Sequence, residues 1–214
     1  MTRISLVVLC AAVAFGTSGC KIVKDVPDDE KAIAADASGD DARTAQRIAD
    51  TFDAELVPYI TDKAIDVAAL REALAGGLDA AGAAHGKQGS GAGAAWNFPL
   101  KGEGAVVEAK LDSRARTAGL DTDGDGTVDV TLQLGPVVKG TALRDAAPFY
   151  NFDDFRDQIE FAKLGRALND KISEGLVLPE GDITGKTMRF IGVVPLKKAD
   201  EALVVTPISV EVTP

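Results

Sequence analysis

Cysteine and histidine are almost absent from this sequence. Its 214 residues include two cysteines, Cys10 and Cys20, and one histidine, His85. We expect Cys10 to be removed with an N-terminal signal and Cys20 to be modified, for the reasons given below. The mature chain then has no cysteine for a disulfide bond, a nucleophile or a metal site, even in an oxidising compartment.

Long apolar segments are lacking too. The apolar segment at residues 4–15 has 12 residues, whereas a helix that crosses a membrane core of ~30 Å needs about 20. Arg3 precedes it, and the small residues GTSGC follow it. This pattern is typical of a bacterial signal peptide, which we place at residues 1–19.

The end of the signal resembles a lipobox, the motif in which a lipid is attached to a cysteine and the peptide is cut before it. Ser18 and Gly19 precede Cys20 as in that motif, whereas Thr17 stands where an aliphatic residue is usual. Cys10 does not fit, because its apolar segment would be too short. We therefore expect lipidation of Cys20. A plain secretory signal that is cut near Gly19 is the alternative.

Positive charge is scarce. The chain has 23 lysines and arginines against 33 aspartates and glutamates, a net charge of −10, and removal of residues 1–19 takes it to about −11. This acidity argues against binding of nucleic-acid backbones or anionic lipid surfaces. Residues 20–40 are charged and poor in large apolar side chains, so we predict a tether between the lipid and the folded domain.

Residues 41–98 are predicted to form a helical segment with a glycine-rich loop. Apolar residues at helical spacing indicate one helix that ends at Pro58 and a second that begins after Asp66. The glycine-rich residues 82–93 are predicted to be a loop. His85 and Ser90 lie in it, but such a loop gives no rigid support for a catalytic pair.

Residues 99–214 are typical of a β domain. We predict strands at 104–112, 127–134 and 137–143, a helix that starts after Asn151, and strands at 186–194 and 202–212. Five strands with a helix between the third and fourth is the order of an oligonucleotide/oligosaccharide-binding (OB) barrel. The predicted class is therefore α+β, an OB-like barrel preceded by a helical segment. An open α+β sheet is the alternative.

Several segments are similar to one bacterial family. GCKIVKD, FPLKGEGAVVEAK, LQLGPVVKGTALRDAAPF and NFDDFRDQIEFAKLGRALN resemble the predicted periplasmic lipoproteins known as domain of unknown function 2291. Asp157 stands where that family has asparagine. The resemblance implies an exported, lipid-anchored protein without an established activity, associated with sugar-uptake transporters of the ATP-binding-cassette type. It supplies no catalytic residues.

The segment LDTDGDGTVDV, residues 120–130, has two interpretations. As a calcium loop, it would supply oxygen ligands from Asp121, Asp123, Asp125, Thr127 and Asp129. Leu132 stands where a bidentate glutamate is expected. It also fits a hairpin connection, because two Asp-Gly pairs favour tight turns. A hairpin that is stapled by structural calcium combines the two.

A second candidate site lies in GTALRDAAPF. Arg144 beside Asp145 is a charged pair that would anchor a polar, sugar-like ligand, and Gln158 and Asn169 are further hydrogen-bonding residues. The alternative is that Arg144 pairs with an acidic residue and holds its own loop in place.

The leading functional hypothesis is a non-enzymatic accessory or interaction module on the periplasmic side of a membrane. Lys21 follows the lipidated cysteine, where enteric bacteria have an aspartate that retains lipoproteins in the inner membrane, so the outer membrane is favoured. A binder of small polar ligands at the barrel face near Arg144 is the second hypothesis. The third hypothesis is a hydrolase whose metal is held by the clustered aspartates. The absence of histidine ligands among them argues against it.

Overall fold

Five strands close into a barrel in the computed structural model, which describes residues 32–91 and 93–213. The barrel strands pair in the closed order β3-β4-β5-β7-β6-β3, with β5 and β7 parallel and the other pairs antiparallel. Two short strands, β1 and β2, pair with β3 outside this ring. The strands are β1 Ile65–Asp66, β2 Lys87–Gln88, β3 Trp96–Lys110, β4 Ala115–Asp121, β5 Val130–Pro136, β6 Thr187–Leu196 and β7 Leu203–Thr213.

The helices precede the barrel or lie between β5 and β6. They are α1 Asp40–Thr51, α2 Val57–Lys63, α3 Val67–Ala75, α4 Leu78–His85, α5 Ala142–Ala146 and α6 Gln158–Gly175, with a π-helical turn at Phe52–Leu56 and 3-10 turns at Ala37–Gly39 and Phe152–Asp154. α6 thus connects the third and fourth barrel strands, and the predicted α+β architecture is confirmed. No helix in these described ranges has the length and apolar character needed to cross a membrane.

One predicted strand was wrong, and one strand of the barrel was not predicted. Residues 137–143 form no strand, because Gly140 has a φ of +90° and α5 begins at Ala142. The strand at 115–121 was missed, and β3 begins at Trp96, so it runs across the expected boundary between residues 98 and 99. The strand count was correct because one missed strand replaced one false strand.

The helix boundaries also differ from the prediction. Pro58 does not end a helix but lies in the first turn of α2, where its missing N–H has no intrahelical partner to lose. The second predicted helix is divided into α3 and α4 at Gly77, whose φ is +101°. The predicted loop at 82–93 begins as the last turn of α4, which includes His85.

α6 starts later than expected. Its N-cap is Asp157, not Asn151, because the Asp157 carboxylate accepts hydrogen bonds from the backbone N–H groups of Ile159 (2.9 Å) and Glu160 (3.0 Å). These bonds satisfy two of the backbone donors that every helix N-terminus leaves free.

The barrel interior is filled by apolar side chains. α3 and Ile183, which lies in the loop before β6, also contribute to this core. A second apolar cluster joins α2, α5 and α6 to Val193 of β6. The fully buried residues of the barrel core include Phe98, Leu100, Leu120, Leu132, Leu134, Met188 and Val194.

Candidate functional site

The aspartate segment forms the connection between β4 and β5, as the hairpin interpretation predicted. Asp121, the last residue of β4, organises the turn: its Oδ1 accepts the N–H of Gly124 at 2.6 Å, and its Oδ2 accepts the N–H of Gly126 at 2.8 Å. Both glycines have positive φ, which other residues rarely adopt. The two hydrogen bonds lower the pKa of the Asp121 carboxyl from its ordinary value.

Asp129 closes the same turn and attaches it to α3. Its Oδ2 accepts the backbone N–H and the hydroxyl of Thr122, both at 2.7 Å, and its Oδ1 accepts Nη2 of Arg71 at 2.5 Å. Burial alone would raise the pKa of Asp129, but the bonds from Thr122 and Arg71 outweigh it and the pKa is lowered. Backbone N–H groups of the turn and the guanidinium of Arg71 therefore already bind the Asp121 and Asp129 carboxylates.

The fit of a calcium ion rests on three carboxylates. Asp121, Asp123 and Asp129 each present an oxygen within 4.8 Å of the others. Asp125 lies outside this group, and its Oδ1 accepts the N–H and hydroxyl of Thr127 instead. A bound calcium would be held by Asp121 and Asp123, with Asp129 shared with the guanidinium of Arg71, and it would staple the hairpin.

Arg144 forms a polar anchor between α5 and α6. Its Nε donates to Asp145 at 2.8 Å, its Nη1 donates to the backbone oxygen of Phe161 at 3.0 Å, and its guanidinium stacks 3.7 Å above the Phe161 ring. Asp145 also accepts the hydroxyl of Thr141 at 2.6 Å. Most of the polar atoms of this pair are thus occupied within the protein.

The other residues of that predicted site lie apart from this anchor. Gln158 is exposed at the start of α6 and takes part in none of the hydrogen bonds around Arg144 among the described residues. Asn169 is buried, and its Nδ2 donates to the backbone oxygen of Gly140 at 2.9 Å. It supports the loop before α5.

Sequence reasoning missed the most buried charges in the described chain. Asp40 is 1% exposed and Glu160 is 5% exposed. Arg156 binds both oxygens of Asp40, at 3.2 and 3.0 Å, and Arg43 bridges the two acids, with Nε 2.6 Å from Glu160 and Nη2 2.7 Å from Asp40. We call these four residues the N-terminal ion network.

The network holds both carboxylates ionised. The hydrogen bond from Arg43 lowers the pKa of Glu160, and the hydrogen bond from Arg156 lowers the pKa of Asp40. The Glu160 carboxylate also accepts the backbone N–H of Arg156 at 2.7 Å. The N-terminal part of the compact unit Ile33–Pro214 is thereby fixed to the start of α6.

Exposed apolar side chains lie beside this network. Ile159, the neighbour of Glu160, is 64% exposed, and Phe152 is 43% exposed with its ring edge-on to Phe161 at 5.6 Å. Gln158 is exposed beside them. We call Phe152, Gln158 and Ile159 the α6-start surface.

Comparison with known families and structures gives the chain a family and a fold. A family model described as predicted periplasmic lipoprotein (DUF2291) matches residues 10–211. The chain belongs to this family. Membership assigns the DUF2291 protein to the periplasmic side as a predicted lipoprotein, in agreement with the resemblance in its sequence. A comparison with curated proteins finds no match.

One solved structure supports the fold of the DUF2291 protein. It is an OB-fold protein from Thermotoga maritima, with a TM-score of 0.57 and 18% identity; the alignment covers 80% of this chain and 95% of that one. At this identity the likeness concerns the fold alone. The expected lipid site of the DUF2291 protein, Cys20, lies outside the described residues, as do the signal peptide and residues 20–31 of the tether.

Proposed function

We propose that this lipoprotein is a non-enzymatic accessory module that binds a protein partner through the α6-start surface. The observation that carries this proposal is the exposure of Ile159, in the first turn of α6, and of Phe152, in the 3-10 turn before it, beside an ion network with two buried carboxylates. Apolar side chains on a rigid, ordered element are suited to act as anchors in a protein interface.

The filled barrel supports a partner-binding role over an internal ligand site. Leu132, Leu134 and Phe98 are fully buried inside it. β4 and β5 read ARTAGLD and VTLQLGP, so the face that many OB proteins use for sugars or bases carries no aromatic side chain for stacking.

The arrangement of polar residues supports a role without catalysis. His85 ends α4 and is exposed, and Ser90 follows in a bend near the glycine-rich residues. The aspartates of the 121–129 turn accept backbone hydrogen bonds, and Arg71 neutralises one of them. These aspartates serve the fold, and a hydrolytic site would need a positioned nucleophile or metal-bound water.

The partner that we propose is a membrane-embedded or membrane-bound component of a sugar transporter of the ATP-binding-cassette type. The family resemblance supports this partner, and the outer face of the tethered domain provides a surface for it. Lys21, after the lipidated Cys20, supports sorting to the outer membrane. In that location the partner would be reached across the periplasm.

A crosslinking pull-down from membranes tests the proposal. The lipoprotein is crosslinked in intact cells, purified, and its partners are identified by mass spectrometry, in parallel with Ile159→Asp and Val177→Asp. Val177 is 85% exposed in the loop after α6 and serves as the matched control. Transporter components should be recovered with the original protein and with Val177→Asp but not with Ile159→Asp. Equal recovery from all three, or recovery from none, would contradict the proposal.

Direct binding of a small polar ligand near Arg144 is the second candidate function. The specific observation in its favour is that Lys87 donates from Nζ to the backbone oxygen of Asp145 at 3.0 Å, which brings a further cation to this element. Arg144 itself is occupied by Asp145 and Phe161. A ligand would therefore contact the neighbouring Lys87 first.

A further inference from the structure

A surface cavity of about 320 Å³ lies where α2, α4 and β3 meet. Its lining includes Tyr59 and Lys63 of α2, His85 of α4, Lys87 of β2 and Pro99 of β3. Cavities that bind small molecules begin at about this size, ~300 Å³. The volume suits a small molecule and not a polymer.

Lys87 is the residue that gives this cavity its chemistry. It is half-buried, and its Nζ donates one hydrogen bond, to the backbone oxygen of Asp145 at 3.0 Å. An ammonium group has three hydrogens, so two remain. Lys87 takes part in none of the ion pairs found within residues 32–91 and 93–213. A half-buried ammonium without a carboxylate partner is costly for the fold and is available to an anion.

The nearby acids are already engaged. The Asp145 carboxylate accepts hydrogen bonds from Arg144 and Thr141, and Asp62, at the rim of the cavity, pairs with Lys63 at 3.2 Å. Burial lowers the pKa of Lys87 from its ordinary value, and the Asp145 charge offsets this only in part. The site therefore presents an excess of positive charge in a protein of net charge −10.

The remaining groups add donors around Lys87. His85 closes the last turn of α4, and the hydroxyl-bearing Tyr59 comes from α2. A phenol and an imidazole both donate hydrogen bonds to anionic oxygens. β2 holds Lys87 in register, since Lys87 pairs with Asn97 of β3 and its backbone oxygen accepts Nδ2 of Asn97 at 3.2 Å.

We propose that this cavity binds a small organic anion, a carboxylate or phosphate ester, with Lys87 as its principal contact and His85 and Tyr59 as supporting contacts. This site rests on the second candidate function, in which a ligand meets Lys87 first, and it is independent of the α6-start surface. Anion binding and partner binding therefore succeed or fail separately.

Three probes with one carbon skeleton test the site: glycerol, glycerate and glycerol 3-phosphate. Each is titrated into the folded protein at low ionic strength, because salt screens such contacts, and amide shifts are followed by NMR. One or both anions should shift the amides of residues 84–87 in a saturable manner, and glycerol should not. The anion that saturates identifies the class as carboxylate or phosphate.

Substitutions assign the effect to Lys87. Lys87→Met should weaken the anion affinity at least about tenfold, the scale of one lost hydrogen bond to a charged group. Lys198→Met, at a lysine in the exposed β6–β7 loop, should leave the affinity unchanged. His85→Ala alters an exposed side chain, so it tests the same cavity in a variant that keeps its fold. Unchanged affinity in Lys87→Met, no saturation with either anion, or equal binding of glycerol would overturn the proposal.

Discussion

The guanidinium of Arg43 donates a 2.6 Å hydrogen bond to the carboxylate of Glu160, which lies 117 positions later in the chain. This bond connects the start of α1 to the start of α6. A second bond from Arg43, to Asp40 at 2.7 Å, brings Arg156 into the same network. Part of the polar contacts at the start of α6 therefore comes from α1, far away in the sequence.

Removal of Arg43 should destabilise the domain. In Arg43→Ala, the buried Glu160 carboxylate loses its charged partner, and an uncompensated buried charge is costly. Lys163→Ala is the matched control, because Lys163 pairs with the exposed Asp41 at 2.7 Å and lies farther, at 3.7 Å, from Asp40 of the network. Thermal unfolding should show a clearly larger fall in Tm for Arg43→Ala than for Lys163→Ala, and equal falls would show that the network contributes no specific stability.

The stability should fall in acid because of Glu160 and Asp40. The pKa of each is lowered in the folded protein, from ordinary values of 4.5 and 3.8. A lowered pKa contributes stability that is fully present above the ordinary value and is lost as pH falls through the folded-state value. Tm should therefore decrease steeply below pH ~4.5.

Glu160→Gln tests the source of that acid sensitivity. It should lower Tm at pH 7 and flatten the decrease below pH ~4.5, because the amide does not titrate. Glu174→Gln changes an exposed glutamate of the same helix and should reproduce the original profile. An unaltered acid slope in Glu160→Gln would assign the sensitivity to other carboxylates.

The sequence predicted the barrel because its pattern of strands and one intervening helix is regular. The strand β4 was missed because its sequence, ARTAGLD, has few β-branched residues. Ala118 and Leu120 become core residues only when β4 pairs with β3 and β5. The pair Val137–Val138 favoured a strand that Gly140 prevents. Local propensity is overridden here by tertiary pairing.

The start of α6 was predictable in principle. Asp157 followed by Glu160 is a better capping-box pattern than Asn151 followed by Asp154, and Asp157 is the N-cap. The N-terminal ion network was not predictable from one sequence. Asp40 and Arg43 are three positions apart, but the pairs that join them to the start of α6 span 116 and 117 positions, and no local pattern points to those partners.

Arg144 should prove to be a structural anchor. Arg144→Ala removes the bond to the Phe161 backbone and the stacking on its ring, which should lower the free energy of unfolding by about 1–3 kcal/mol. Arg144→Lys should rescue little of it, because an ammonium cannot reproduce the planar guanidinium. Denaturant unfolding measures both. A variant with unchanged stability that loses a ligand would instead assign Arg144 to a binding site.

The aspartate turn should be stable without calcium. Backbone donors and Arg71 already satisfy Asp121 and Asp129, so Tm should be the same with a chelator as with millimolar calcium. A rise in Tm with calcium that disappears in Asp123→Ala would contradict this expectation and establish the structural calcium staple. Asp123 is the suitable variant because it is exposed and its carboxylate accepts a single hydrogen bond among those described in the turn, from the N–H of Asp125 at 3.2 Å.

Site-specific photocrosslinking can show whether Ile159 contacts a protein partner in cells. A benzophenone amino acid is placed at Ile159 or, as the control, at Val177 in the membrane-anchored lipoprotein, and the cells are irradiated. We expect a discrete crosslinked protein partner from position 159, identifiable as a transporter component, and none from position 177. Equal crosslinking at both positions, or no crosslinked partner at position 159, would contradict the proposed partner binding.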